Sequence, residues 1–210
     1  MKVCIIGAGP AGSFSAYNLA RAGFDVEIFE NHPEVGKPVQ CSGLVTKTIR
    51  DVDTIFSGKE FEKRIEGRIK KVRLFSEREK LELELKEPDL VLDREGFDKW
   101  LSSLAEENGV KLHLKSKFLK FEREGGKILL YIERQGKIEK IETDFLIGAD
   151  GFFSQVSKGL GNEREFIPCV QANIAYKSDP EVMDIFFSEE YRELFAWIVP
   201  KNGEISEIGL

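Results

Sequence analysis

Residues 2–30 read KVCIIGAGPAGSFSAYNLARAGFDVEIFE, and this stretch decides the fold. The apolar run 2–6 suits a buried parallel strand. Gly7-Ala8-Gly9-Pro10-Ala11-Gly12 follows at once and fits G-x-G-x-x-G. The alanine-rich residues 13–22 predict a helix stopped by Gly23, and 25–29 predict a second strand ending at Glu30. Each part has a physical reason. Gly7 permits a tight turn, Gly9 lets the backbone approach a pyrophosphate, and Gly12 lets helix and strand pack closely. The helix N-terminus then offers N–H groups and a partial positive charge to phosphates. Glu30, eighteen residues beyond Gly12, stands where an acid accepts hydrogen bonds from an adenosine ribose. Strand, glycine turn, helix and acid together predict a dinucleotide site.

Composition narrows the class of protein. The 210 residues suffice for one large domain or two small ones, and 41% hydrophobic with 32% charged residues is the balance of a folded globular chain. A net charge of −6 argues against nucleic acid as a partner. The basic cluster at 59–73 is interspersed with acids and reads as a solvated face. No apolar run approaches the ~18–20 residues of a membrane-spanning helix. A strand predicted from residue 2 leaves no room for a secretory leader. Cys4, Cys41 and Cys169 are widely spaced, without the C-x-x-C pairs of a zinc or dithiol site. No metal is expected, and a cytoplasmic location is.

Beyond Glu30, residues 31–49 read as loop and 51–66 as a helix or an irregular connection. Residues 70–75 and 79–85 alternate in polarity and predict antiparallel strands with one wet face. Pro88 is expected to break that pattern before a short strand at 90–92. Asp93 then reads as the cap of an amphipathic helix to about residue 108, with Phe97, Trp100, Leu101 and Leu104 as its core face. A strand at 110–114 and a β-meander (117–123, 127–134, 137–142) follow, its hairpins at Gly125-Gly126 and Gln135-Gly136. Residues 145–147 predict a last buried strand running into Gly148-Ala149-Asp150-Gly151. The order predicts an α/β fold: a Rossmann-like domain interrupted by a strand-rich insertion.

GAGPAG with Glu30, Leu92-Asp93-Arg94 at a helix start, and GADG at 148–151 together resemble the FAD flavoproteins built like para-hydroxybenzoate hydroxylase. That resemblance implies FAD as cofactor, with Arg94 reaching it and Asp150-Gly151 as a second fingerprint. It places an FAD-binding domain at 1–50 and 90–161 and a substrate domain at 51–89 and 162–210. Gly36-Lys37-Pro38-Val39-Gln40-Cys41-Ser42-Gly43-Leu44 is similar to the flavin-side loop of the geranylgeranyl reductases within that group. Phe195-Ala196-Trp197-Ile198-Val199-Pro200-Lys201 is similar to their Y-x-W-x-F-P substrate-cavity motif, with Phe195 for the tyrosine and Val199 for the phenylalanine. The family's third FAD motif, a Gly-Asp pair, does not occur after Gly151, so the expectation is the N-terminal portion of a longer, C-terminally incomplete fold.

The resemblance implies an FAD-dependent oxidoreductase that reduces isoprenoid C=C bonds of geranylgeranyl groups, in archaeal-type membrane lipids or related prenyl diphosphates. It implies cofactor contacts from Gly7, Gly9, Ala11, Gly12, Glu30, Cys41, Ser42, Gly43, Arg94, Asp150 and Gly151. Phe195, Trp197 and Pro200 line the implied substrate cavity, and Cys41 is the candidate for catalytic contact with the ring or for proton delivery. An external electron donor, such as NADPH or ferredoxin, and peripheral membrane contact are implied as well. Two other readings share the nucleotide motifs: a flavin monooxygenase of a small or aromatic substrate, and a non-catalytic nucleotide-binding remnant. His32 and His113 fall outside every matched motif, and His113 reads as structural.

Overall fold

The computed structural model describes residues 1–162, 165–191 and 193–210, the side chain of residue 191 excepted. By packing, the chain divides into two compact units, Met1–Val39 with Glu95–Arg164 and Gln40–Arg94 with Glu165–Leu210.

The first unit is organised by a four-stranded parallel sheet. Its strands are β1 (Lys2–Ile6) and β2 (Asp25–Phe29), with Lys111–His113 and Phe145–Gly148 completing the order Phe145–Gly148, β1, β2, Lys111–His113. Helix α1 (Pro10–Arg21) makes the β1–β2 crossover. It begins three residues earlier than 13–22, because Gly9 takes the extended N-cap conformation and Pro10 fits the first turn without needing an N–H. A second long helix, Arg94–Glu107, buries Phe97, Leu101 and Ala105 and ends before Gly109 (φ +92°). Trp100 and Leu104 on the same face are only partly buried.

The meander forms as expected, from strands Lys117–Glu124, Lys127–Arg134 and Lys137–Thr143. Both hairpins turn through residues of positive φ: Gly125 and Gly126 (+58° and +82°), then Gln135 and Gly136 (+50° and +74°). Its apolar face supplies Phe118, Leu130 and Ile132 to a core shared with Cys4, Ile6 and Phe29 of the sheet and with Val156. Cys4 is fully buried there, and desolvation pushes its thiol pKa up. The strand Phe145–Gly148 is not buried as expected. It is an edge of the sheet and leaves Phe145 51% exposed.

In sequence order, the remaining strands are β3 (Leu44–Val45), β4 (Ile65–Phe75), β5 (Lys80–Leu92), and, counting Lys111–His113 to Phe145–Gly148 as β6–β10, β11 (Gln171–Ile174), β12 (Val182–Phe186), β13 (Ala196–Pro200) and β14 (Ser206–Gly209). The last four join β3–β5 in the second unit as one mixed sheet, ordered β11-β14-β13-β12-β4-β5-β3, in which β4 and β12 are parallel. The connection at 49–62 is two short helices, Ile49–Val52 and Lys59–Glu62, around a 3₁₀ turn at Thr54–Ser57. Phe56 and Phe61 bury its inner side edge to face.

Pro88 does not end the hairpin. β5 runs through it, because the register slips between the pairs Ile69↔Asp89 and Lys71↔Glu84, so the proline lies where the ladder asks no N–H of it. The backbone N–H groups of Lys70 and Lys71 turn instead to the Glu181 carbonyl, at 2.8 and 3.1 Å. Lys71, Arg73, Glu82 and Glu84 share one face in register. The other face, expected to be dry, leaves Leu81 and Leu83 exposed near the hairpin's tip. Arg73 grips the Asp184 carboxylate with two hydrogen bonds of 2.6 and 2.7 Å.

Candidate functional site

In the first unit, the turn at the end of β1 is held by contacts that only glycine allows. Gly7 has φ +99°, and a Cβ there would stand 2.4 Å from the Ala149 carbonyl oxygen. Its N–H donates to the Phe29 carbonyl at 2.9 Å, while Ala149 N–H donates to Ile6 at 2.8 Å. At Gly12 a Cβ would fall 2.0 Å from the Gly7 carbonyl oxygen and 3.3 Å from the Ala149 Cβ. Thus the residues 148–151 pack directly on the first glycine turn. The two stretches singled out in the sequence are one local structure.

Gly9 differs from its neighbours. Nothing lies within 4 Å of the Cβ it lacks, so its backbone borders open space. It is the N-cap of α1, with no side-chain cap and no acid in the first turn. Pro10 brings no N–H, which leaves Ala11 and Gly12 as the first-turn donors at a helix end of positive potential. Ser13 secures the turn from inside, its hydroxyl donating to the Ala8 carbonyl at 3.0 Å. An open cradle over Gly9 at an uncapped helix end fits a pyrophosphate.

Glu30 lies at the tip of β2, its side chain 12% exposed. Its Oε2 accepts the Ala8 N–H at 2.8 Å, tying the acid to the glycine turn. Its Oε1 accepts the His32 N–H at 2.9 Å and meets His32 Nδ1 at 2.6 Å. Oε2, with one partner, keeps a second lone pair, so these bonds orient the acid while leaving acceptor capacity for a ribose. His32 was not legible as part of this arrangement; its only signal is its place two residues beyond the acid. His113 is structural, stacked on Phe29 at 4.9 Å with Nε2 2.7 Å from Glu27 Oε2. Glu27 is partly desolvated, which raises its pKa, but Lys2 and His113 outweigh that and hold it below the ordinary carboxylate value.

Asp150 is largely committed to its own loop. Oδ1 accepts the Ser154 hydroxyl at 2.6 Å, and Oδ2 accepts the N–H groups of Gln155 and Val156 at 2.7 and 3.3 Å. It thereby caps the short helix Gln155–Gly159. Gly151, at φ +74°, has no atom within 4 Å of its missing Cβ.

The second unit brings together the two stretches that flank Cys41 and Trp197. Gly43, at φ +79°, lies so close to β5 that a Cβ would be 2.3 Å from the Leu92 carbonyl oxygen, and its own carbonyl accepts the Leu92 N–H at 2.9 Å. Its N–H donates to Cys41 Sγ at 3.4 Å. Lys201, following β13 and only 9% exposed, reaches back to donate from Nζ to the Ser42 carbonyl at 2.6 Å. Glu66 Oε2 lies 3.7 Å from the same ammonium. Burial holds the Glu66 carboxyl above its ordinary value, against the pull of Lys201. Arg94, half-buried, is the first residue of the helix Arg94–Glu107.

Trp197 lies across β14. A Cβ on Gly209, its register partner, would come 2.1 Å from the indole. The indole Nε1 donates to Glu207 Oε1 at 3.3 Å, and Glu207 is 2% exposed. Phe195 meets Trp197 edge to face at 6.1 Å and Phe187 at 5.9 Å. Pro200 is buried at the end of β13. The sequence assigned a role to the aromatics but none to Lys201, Glu207 or Gly209, which hold them and the Cys41 loop. Lys201 alone carried a signal, as a charge ending an apolar strand. Among the described residues no three potential ligands gather into a metal site, and no helix is long and apolar enough to cross a membrane.

The family model described as an FAD binding domain matches residues 1–202. The digeranylgeranylglycerophospholipid reductase of Thermoplasma volcanium is 28% identical over 99% of this chain and 55% of its own length. That of Methanothrix thermoacetophila is 31% identical over 99% of this chain and 56% of its own. A solved geranylgeranyl bacteriochlorophyll reductase-like protein from Thermoplasma acidophilum superposes with a TM-score of 0.88 at 26% identity, covering all of this chain and 55% of that one. The chain spans about half the length of the curated relatives it matches.

Proposed function

The chain belongs to the FAD binding domain family, and from that premise we propose that it is the FAD-binding part of an oxidoreductase that saturates isoprenoid C=C bonds. The substrate is a geranylgeranyl lipid or a related prenyl diphosphate. Whole-chain similarity to digeranylgeranylglycerophospholipid reductases supports that substrate class over a monooxygenase.

The observation that carries the cofactor reading is the open cradle over Gly9 at the uncapped start of α1, with Glu30 tied to the same turn. Gly7, Gly9, Ala11 and Gly12 hold the pyrophosphate through backbone, and Glu30 accepts from the ribose. Arg94 adds a cationic donor. Asp150 acts by shaping the Gly151 turn, since its carboxylate oxygens accept from Ser154, Gln155 and Val156. Cys41, Ser42 and Gly43 serve the flavin side, with Phe195, Trp197 and Pro200 as apolar surface for the prenyl chain.

The chemistry such a flavin supplies, once reduced, is hydride transfer to carbon. The other alkene carbon needs a proton, and its delivery is assigned to Cys41 on the similarity of its loop to that of the geranylgeranyl reductases. Electrons come from an external carrier of the NADPH or ferredoxin class, and a cytoplasmic enzyme touching the membrane surface fits a lipid substrate.

The test is titration with FAD, following the flavin spectrum and the quenching of Trp100 and Trp197 fluorescence. Saturable binding weakened by Gly9→Val and by Glu30→Ala is expected. Prenyl saturation, read by mass in a protein of the relatives' full length, should then fall in Cys41→Ser and Trp197→Ala. A well-folded chain that ignores FAD sinks the cofactor reading. Oxygenated rather than saturated product sinks the reductase.

A further inference from the structure

We propose that Lys201 is a positioning residue for the Cys41-Ser42-Gly43 loop, which it holds by hydrogen-bonding the Ser42 carbonyl. The functional meaning of that loop rests on the reading given above; the mechanical role of Lys201 does not.

A lysine is costly to bury, and Lys201 is 9% exposed. Its charge is placed with care. The backbone at its root is set by the turn into β14, where Lys201 N–H and Asn202 N–H both donate to the Ile205 carbonyl, at 3.0 and 3.3 Å. Asn202 Oδ1 closes the same turn by accepting from Glu204 and Ile205. From this fixed root the ammonium spans 159 residues of sequence to the Ser42 carbonyl at 2.6 Å. Glu66, at 3.7 Å, is its counter-charge. A charged donor to a backbone carbonyl is one of the stronger hydrogen bonds, the more so away from water.

The loop needs such a hold. Gly43 is clamped from the other side, by its hydrogen bond to Leu92 and by a contact with that residue too close for any Cβ. Residues 42 and 43 therefore have one fixed carbonyl each, on opposite anchors. With both in place, the Gly43 N–H points at Cys41 Sγ, and the thiol has a defined position. Without Lys201 the Ser42 carbonyl loses its anchor, and the 40–42 segment can swing.

The test reads the exposure of the Cys41 thiol, itself partly buried, in the full chain, with Cys169→Ser removing the exposed cysteine. Iodoacetamide labelling of Cys41 under native conditions should speed up about ten- to a hundredfold in Lys201→Met, the change in open population expected when a charge-assisted hydrogen bond closing a loop is lost. Lys201→Arg, which keeps charge and donors, should restore most of the protection. Equal labelling in Lys201→Met and parent overturns the proposal. Should Lys201→Met not fold, the unaltered protein still decides. Reductive methylation should spare Lys201 while modifying Lys177, which is 75% exposed, and equal modification of the two overturns it. FAD binding is measured in parallel: a chain that binds no FAD yet shows the labelling change refutes the functional reading and leaves the anchor standing.

Discussion

A methyl group placed at Gly12 and one placed at Gly9 sit three residues apart on one turn, and the structure gives them opposite consequences. In Gly12→Ala the helix gains about 1 kcal/mol of intrinsic propensity. Against this, the new Cβ lands 2.0 Å from the Gly7 carbonyl oxygen, more than an ångström inside ordinary contact. Backbone must move, at about 1–3 kcal/mol for overpacking. The same movement disturbs the Gly7–Phe29 hydrogen bond, about 1 kcal/mol more. The net is a destabilisation of about 1–3 kcal/mol, a fall of roughly 3–10 °C in Tm for a chain of this size. In Gly9→Ala, alanine is a poorer N-cap than glycine by about 0.5–1 kcal/mol. It also restricts the unfolded chain by a similar amount, about 0.4–1 kcal/mol, at a φ of −69° that alanine adopts freely. Stability should therefore hold within about 0.5 kcal/mol, while the methyl fills the open cradle and weakens FAD binding by about tenfold, or 1.4 kcal/mol. Thermal unfolding by circular dichroism and FAD titration separate the two. A Gly12→Ala chain as stable as the parent, or a Gly9→Ala chain with unchanged FAD affinity, refutes the reasoning.

Other consequences are equally direct. Asp184→Ala leaves Arg73 half-buried without its bidentate partner and should cost about 2–4 kcal/mol in urea unfolding, with much of the loss recovered in Arg73→Met/Asp184→Leu. Gly209→Ala drives a Cβ into the Trp197 ring, so the near-ultraviolet circular dichroism of Trp197 should change and stability fall by about 1–3 kcal/mol; an unaltered spectrum refutes the packing. Glu27 bears on pH dependence. Its folded pKa is lowered from 4.5, so its contribution is present above that pH and is lost as pH falls through the folded value. Glu27→Gln should be less stable than the parent near neutrality, with the difference shrinking below about pH 4.5, as followed by urea midpoints across pH 2–7.

How much was legible in the sequence differs between the two units. Local signals sufficed where the chain's own chemistry forces a conformation. The β1–α1–β2 order, the glycine turn with Glu30 at the next strand's tip, and the hairpins at Gly125-Gly126 and Gln135-Gly136 all follow from short-range rules of sterics and periodicity. Those rules broke down where a partner distant in sequence sets the outcome. Pro88 looked like a strand end because the bulge that accommodates it is set by β4 and Glu181 across the sheet. The strand at 145–147 looked buried because its apolar run says nothing of whether a neighbour lies on each side.

The same division runs through the candidate site. Gly7 and Gly12 could be assigned turn and packing from spacing alone, because only a residue without Cβ meets those demands. The sequence by itself therefore determined the glycine turn and the acid at the next strand's tip. Only the tertiary structure decided that Ala149 seats on that turn, that Asp150 spends its carboxylate capping the Gln155 helix, and that His32 braces Glu30. It alone brought Lys201 to Ser42 and laid Trp197 over Gly209 beside Glu207. Backbone sterics act over a few residues and leave their mark in local order. A buried charge finds its partner through the fold, and that pairing leaves no periodic trace in the sequence.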